Sequence, residues 1–256
     1  MEVDPIRPIR AAIRPLLIDS AIPEIPLGVW GTCFLATYRG QLFVVTAAHL
    51  TKWNHSGEVR ILVSDRSMHR LPVSAGIGVL ADTPSEQVDL IVYPATLVGL
   101  SKNEQRRARI LNFDSPGLFD WRSGAYSARF LVAGYPRAGT NVDYDAGIVR
   151  AAQVLLDGRY VGPIHGNNFT HSVKMKNSLD LDEFSGFSGS PVFSIEQRIG
   201  SEPVTRFCGV AVAGSILAST MHFIDAVTLL TLLKTAVGHI QKFDLQLATK
   251  IKKAQR

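Results

Sequence analysis

Residues 36–50, "ATYRGQLFVVTAAHL", set two apolar runs on either side of "YRGQ" (38–41). An Arg-Gly pair between β-prone segments is a hairpin signal, so the stretch predicts antiparallel strands at 32–38 and 41–46. The same rhythm continues outward. Short apolar runs at 59–63, 71–76, 90–93, 128–134, 147–155, 191–194 and 206–215 are rich in β-branched residues and bounded by turn formers. No long helical pattern alternates with them. That excludes a parallel sheet built from βαβ units and predicts an antiparallel sandwich or barrel.

The chain has 256 residues, 46% hydrophobic and 19% charged, the composition of an ordinary globular protein with a sizeable core. Its net charge of +5 is modest and scattered, with clusters only at Arg106, Arg107, Arg109 and in the tail. A nucleic-acid surface would concentrate more charge, so no nucleic-acid partner is expected. Residues 1–26 carry Pro5, Pro8, Pro15, Pro23 and Pro26 and read as an irregular arm, with one helical turn after Asp4-Pro5. No secretion signal is legible there, and no run approaches the ~20 apolar residues that span a bilayer. Cys33 and Cys208 are the only cysteines and read as buried free thiols. The expectation is a cytoplasmic protein without membrane contact.

Within a domain at 27–240, the first β module would cover about 27–99 and the second about 123–218. A polar, basic link over 100–122 joins them. In "FIDAVTLLTLLKTAV" (223–237) the apolar residues at 226, 227, 229, 230, 233, 236 and 237 form one stripe, which predicts a C-terminal helix. Residues 241–256 read as a basic tail.

"EFSGFSGSPVF" (183–193) crowds serines, glycines and a proline together. Such density either makes a tight turn or lets a substrate approach the backbone. A serine there has chemical use only if an imidazole can take its proton and a third group orients that imidazole. His49 closes the apolar run of the first hairpin, at its junction with a loop. Asp89 enters the apolar run "LIVYPA", where a carboxylate is costly unless a donor meets it. Ser188 follows, so the order is His49, Asp89, Ser188.

"VVTAAHL", "VDLIVY" and "GFSGSPVF" resemble the three signature stretches of trypsin-like (chymotrypsin-fold) serine peptidases, and the similarity runs from about Gly31 to Ser215. "LVAGYPRAG" (131–139) is similar to the start of the second barrel in bacterial members. The resemblance implies an all-β protein of two six-stranded antiparallel barrels with the active site in the cleft between them. His49 and Asp89 would come from the first barrel and Ser188 from the second. The amides of Gly186 and Ser188 would form the oxyanion hole. Val212, Ala213 and Gly214 would pair with substrate backbone along the pocket wall.

Phe187 departs from the pattern. Zymogen-activated members carry an aspartate there, which pairs with a newly released N-terminus; phenylalanine cannot. The disulfide that usually staples the histidine loop is missing too. Both absences suit a bacterial or phage member. Asp182 stands six residues before Ser188, where basic-selective members carry a pocket carboxylate. It reads either as that group, with a preference for Arg or Lys before the cut, or as part of an exposed acidic loop. The implied activity is endopeptidase cleavage of a protein or peptide. Without a visible inhibitory propeptide, an intracellular enzyme of this kind needs either narrow specificity for one partner protein or gating by a regulatory protein, and the sequence leaves open which. Two alternatives stay open: a catalytically silent binding module on the same fold, and an esterase, although the serine of an α/β-hydrolase precedes its histidine. No cofactor is implied, and no paired His/Cys spacing suggests a metal.

Overall fold

A computed structural model describes residues 6–19, 27–52, 59–63, 69–78, 88–115, 117–137, 141–143, 148–176, 184–197 and 200–254. The opening hairpin is present. Strands β2 (Leu27–Tyr38) and β3 (Gln41–Thr46) pair through Tyr38↔Gln41. Both turn residues have positive φ, 49° at Arg39 and 73° at Gly40, which matches the twist of a two-residue hairpin. The Asp114 carboxylate accepts the Arg39 amide and holds this uncommon conformation for an arginine. β3 is apolar almost throughout because both of its faces are covered. Leu42 and Val44 enter one core, while Phe43 and Val45 enter another that is shared with the second half of the molecule.

The first half is a sheet in the order β4 (Val59–Ile61), β1 (Ile13–Asp19), β2, β3, β6 (Ile91–Ala95) and β5 (Ile77–Gly78). Strand β7 (Leu111–Asn112) adds to β2 in parallel. The second half is a closed six-stranded barrel. Its order is β11 (Val154–Ile164), β12 (Asn167–Met175), β15 (Thr220–Asp225), β14 (Val204–Ser215), β13 (Pro191–Glu196) and β8 (Arg129–Gly134). β9 (Asn141–Asp143) and β10 (Ile148–Arg150) form a separate ribbon. The protein is therefore mostly β with a double-barrel architecture. Its first barrel is a curled sheet, in which β4 and β5 do not meet among the described residues.

Several sequence readings need correction. Residues 1–26 are not an irregular arm throughout. One helical turn, α1 (Arg7–Arg10), leads into β1, whose Ile13, Leu16 and Leu17 are fully buried. Pro15 and Arg14 disguised this strand. Pro15 lies beyond the reach of β4, which pairs only with Leu16–Ile18, and proline is tolerated at such an edge. Arg14 is buried, with its guanidinium donating to the carbonyls of Val63 (3.1 Å), Ala11 (2.6 Å) and Ile13 (2.7 Å). The run at 71–76 is not a continuous strand: it makes the isolated bridge Val73↔Ala95 and single backbone bonds such as Ser74 N to Pro94 O.

Residues 100–122 are not a bare polar link. They contain α3 (Lys102–Arg107), started by a reciprocal cap between Ser101 and Glu104, and they bury Ala108, Phe113 and Trp121. The barrel extends past 218 to β15, and the C-terminal helix α4 runs from Ala226 to Ala254, into the predicted tail. Phe223–Asp225 belongs to β15 because a barrel strand needs partners on both sides, and β12 and β14 supply them. Cys33 and Cys208 are free and buried; burial pushes the Cys33 thiol up to about 12 and the Cys208 thiol upward as well. Among the described residues no helix is long and apolar enough to cross a membrane, and no group of three or more metal-binding side chains is found.

Asp225 joins barrel, link and helix. Its carboxylate accepts the Val227 amide at 2.7 Å, which caps α4, and receives the guanidinium of Arg122. His171 Nε2 lies 3.3 Å away, and the other ring nitrogen of His171 bonds the Tyr160 hydroxyl at 2.8 Å. Burial by itself would push this carboxyl up. The His171 ring, the Val227 amide and Arg122 outweigh it and hold it below the usual aspartate range. A carboxyl depressed in the folded state stabilises the fold above its unfolded pKa, about 3.9, and that contribution is lost as pH falls through the folded value. Asp225→Asn should therefore lower the urea midpoint most at neutral pH, with the gap to wild type narrowing on acidification below about pH 4. A gap of constant size across pH 3 to 7 would show that the charge contributes nothing.

Candidate active site

Pairing of β3 with β6, with Thr46 opposite Ile91, carries the residues just beyond Thr46 alongside those just before Ile91. Ala47 and Ala48 are buried and small, and the chain then enters α2 (His49–Lys52). Ala48 donates its amide to Asp89 O at 3.3 Å. Asp89 uses both carboxylate oxygens on His49: Oδ1 accepts the backbone amide at 2.7 Å and Oδ2 meets Nδ1 at 2.6 Å. A carboxylate only accepts, so Nδ1 carries the hydrogen and Nε2 of the neutral ring is left with its lone pair. The two side chains are about one-third exposed (36% and 31%), so the ring remains within reach of a ligand.

Ser188 stands on the loop leading into β13, on the other half of the molecule. The loop is closed internally by Phe187 N to Phe184 O (3.1 Å) and Ser190 N to Phe187 O (2.9 Å). It is sewn to β14 by Gly189 N to Ala211 O (2.7 Å) and Ala211 N to Ser190 O (2.8 Å). It also meets the first sheet: Thr32 N donates to Ser188 O at 2.9 Å. A Cβ placed on Gly31 would lie 3.1 Å from Ser188 O and 2.5 Å from a methyl of Leu50, the residue after His49. Ser188 is thus brought beside the histidine turn.

The Ser188 hydroxyl donates to Val212 O at 3.3 Å, not to the imidazole. Ser190 is fully buried with its hydroxyl against Gly134, whereas Ser188 is half-buried. Of the two serines, only Ser188 can meet a ligand. The amides of Gly186 and Ser188 donate to no group among the described residues. Gly186 has φ of +94°. Phe187 is buried beneath the loop, edge-on to Phe184 with ring centroids 6.3 Å apart. Val212 is half-buried, and Ala213 and Gly214 are exposed near the end of β14. Beyond Val210 this strand has no partner in β13, while its other edge stays paired to β15. Phe184 packs against Gly214. Asp182 lies outside the described residues.

No sequence pattern assigned Thr32 a role. It is fully buried, and its side chain reaches Gly186 O at 2.7 Å and Tyr135 N at 2.9 Å. The guanidinium of Arg137 lies 5.0 Å from the Trp30 ring centroid at the rim. Neither contact has a local signal, because each joins residues more than 100 positions apart.

No protein-family model matches the sequence, and no curated protein matches it either. Among solved structures, the scabies mite inactivated protease paralogue S-D1 aligns over 90% of this chain and 93% of its own, with a TM-score of 0.56 and 13% identity. The fold is the chymotrypsin-like double barrel. At that identity the likeness speaks for architecture alone.

Gly189 fits where no side chain could. Its φ is +86°, and a Cβ there would lie 1.9 Å from Thr32 O and 2.4 Å from Thr46 Oγ1. The first obstacle is backbone, which cannot swing aside. Gly189→Ala should lower the unfolding free energy by about 2 kcal/mol or more in urea titration, from left-handed strain and the clash together. Unchanged stability would show that the loop does not meet the first sheet this closely.

Proposed function

We propose that the chain is a serine endopeptidase acting through an acyl-enzyme. Ser188 would be the nucleophile, His49 the general base and Asp89 the group that orients the imidazole. The observation that carries this reading is the double grip of Asp89 on His49, with the half-buried Ser188 on the adjoining loop, where the Gly186 and Ser188 amides donate to no group among the described residues. In the reaction the Ser188 hydroxyl would leave Val212 O, which it holds at 3.3 Å, and donate to His49 Nε2. Nε2 takes the proton as Oγ attacks the substrate carbonyl. The negative charge that gathers on that oxygen is met by the Gly186 and Ser188 amides. The imidazolium then gives its proton to the leaving amine, and the C–N bond breaks. Water, deprotonated by the same ring, releases the acid and restores Ser188.

The exposed edge at Ala213 and Gly214 suits backbone pairing with an extended peptide, which favours a protein or peptide substrate. A preference for Arg or Lys before the cut is proposed from the sequence position of Asp182, and Asp182→Ala tests it through relative cleavage of basic and apolar peptides. The rival reading, a silent binding module, draws on the present orientation of the Ser188 hydroxyl and on the inactivated paralogue that shares the fold.

A fluorophosphonate probe followed by peptide mass spectrometry separates the two. Labelling at Ser188 is expected in the wild type and should vanish in Ser188→Ala and His49→Ala with folding retained. Asp89→Asn should keep weak activity, down about 10⁴-fold, because the ring would sit in the wrong tautomer. Absence of labelling in the folded wild type would favour the silent module, and labelling at another serine would remove Ser188 from the role.

A further inference from the structure

Two peptide groups flank Gly186, and each is held by a donor from outside the loop. Ser185 O accepts the Arg137 amide at 2.9 Å, and Gly186 O accepts the Thr32 hydroxyl at 2.7 Å. The carbonyl and N–H of a trans peptide point in opposite directions across one plane. Holding Ser185 O toward Arg137 therefore turns the Gly186 N–H the other way. Holding Gly186 O toward Thr32 does the same for the next plane, whose Phe187 N–H reaches Phe184 O at 3.1 Å.

The two clamps are coupled through one atom. Thr32 Oγ1 also accepts the Tyr135 amide at 2.9 Å. Its single hydrogen is then free to go to Gly186 O. The hydroxyl thus ties the loop to the 135–137 segment that supplies the Arg137 donor. Packing leaves little freedom: a Cβ on Gly186 would lie 2.3 Å from Tyr135 O and 2.6 Å from Arg137 N. The residue at 187 is a buried phenylalanine, which can form no ion pair to order the loop.

We infer that Thr32 is a positioning residue whose hydroxyl fixes both peptide planes around Gly186 and so aims the Gly186 amide before any substrate binds. The catalytic consequence rests on the peptidase reading above; the clamp itself does not. Thr32 does not touch the reacting atoms. Its effect would be on the tetrahedral state, which uses the Gly186 amide, with little effect on ground-state binding.

The test replaces Thr32 by Val, which keeps shape and removes the hydroxyl, and by Ser, which restores it. Thr32→Val should lower kcat about 100-fold while KM changes less than about threefold, the size expected when one oxyanion donor is lost. Affinity for a peptide boronate, which forms a tetrahedral adduct, should fall in parallel with kcat/KM. Thr32→Ser should return both to within about fivefold of wild type. Independently of activity, amide exchange at Arg137 and Phe187, as well as Tyr135, should accelerate in Thr32→Val and recover in Thr32→Ser. If the valine protein fails to fold, Thr32→Cys, with a weaker hydrogen-bonding group of similar size, should give intermediate values of each quantity. Should kcat stay within threefold, the catalytic consequence is overturned; should exchange rise at Tyr135 alone, the clamp itself is overturned. Lack of probe labelling in the wild type would sink the peptidase reading, and the exchange data would still decide the clamp.

Discussion

Phe207 of β14 is where the two halves of the molecule are pressed together. Its ring meets Phe34 of β2 at 5.8 Å between centroids, Phe113 at 4.8 Å, Phe119 at 5.9 Å and Phe193 of β13 at 5.5 Å. Sheet, link and barrel each contribute a ring. Burying one such side chain is worth about 1.5–3 kcal/mol, and a well-set aromatic pair adds about 0.5–1.5 kcal/mol. The candidate site needs this seam because its parts are divided. His49 and Asp89 belong to the curled sheet, whereas Ser188 belongs to the barrel. A displacement of about 1 Å between halves would be enough to spoil a proton transfer.

Polar contacts then select one arrangement out of those the apolar seam would tolerate. Arg14 is buried at the edge of the first sheet and satisfied by backbone carbonyls, among them Arg107 O at 3.5 Å, at the end of α3. It draws the N-terminal strand and the link onto one surface of the first sheet. At the opposite end Asp225 gathers Arg122, His171 and the first turn of α4. A charge in such a place is tolerated because each has several partners. Between these anchors the Ser188 loop is held from three sides, by β2, by β14 and by the 135–137 segment. Its shape is therefore a property of the assembled halves.

The glycines of that loop follow from the same crowding. Gly189 approaches Thr32 O, and Gly186 approaches the backbone of residues 135–137. Small residues were legible in the sequence as a sign of close approach. What they approach was not, since the neighbours come from β2 and from the end of β8.

Local chemistry was enough to settle a good deal. The hairpin at 38–41, the antiparallel class and the stripe of α4 all depend on spacing within short windows, where side-chain pattern and backbone preference agree. β1 was hidden because its proline and buried arginine imitate a loop. β11 was hidden because much of it is half-exposed, and β12 because its buried run Thr170–Ser172 is polar, so neither shows apolar alternation. Only the tertiary structure decided that β4 and β5 do not meet among the described residues, that Phe223–Asp225 is strand, and that Thr32 and Arg137 hold the Ser188 loop. The reason is physical: each depends on a backbone donor or acceptor brought from a distant part of the chain, and every residue but proline carries the same backbone groups.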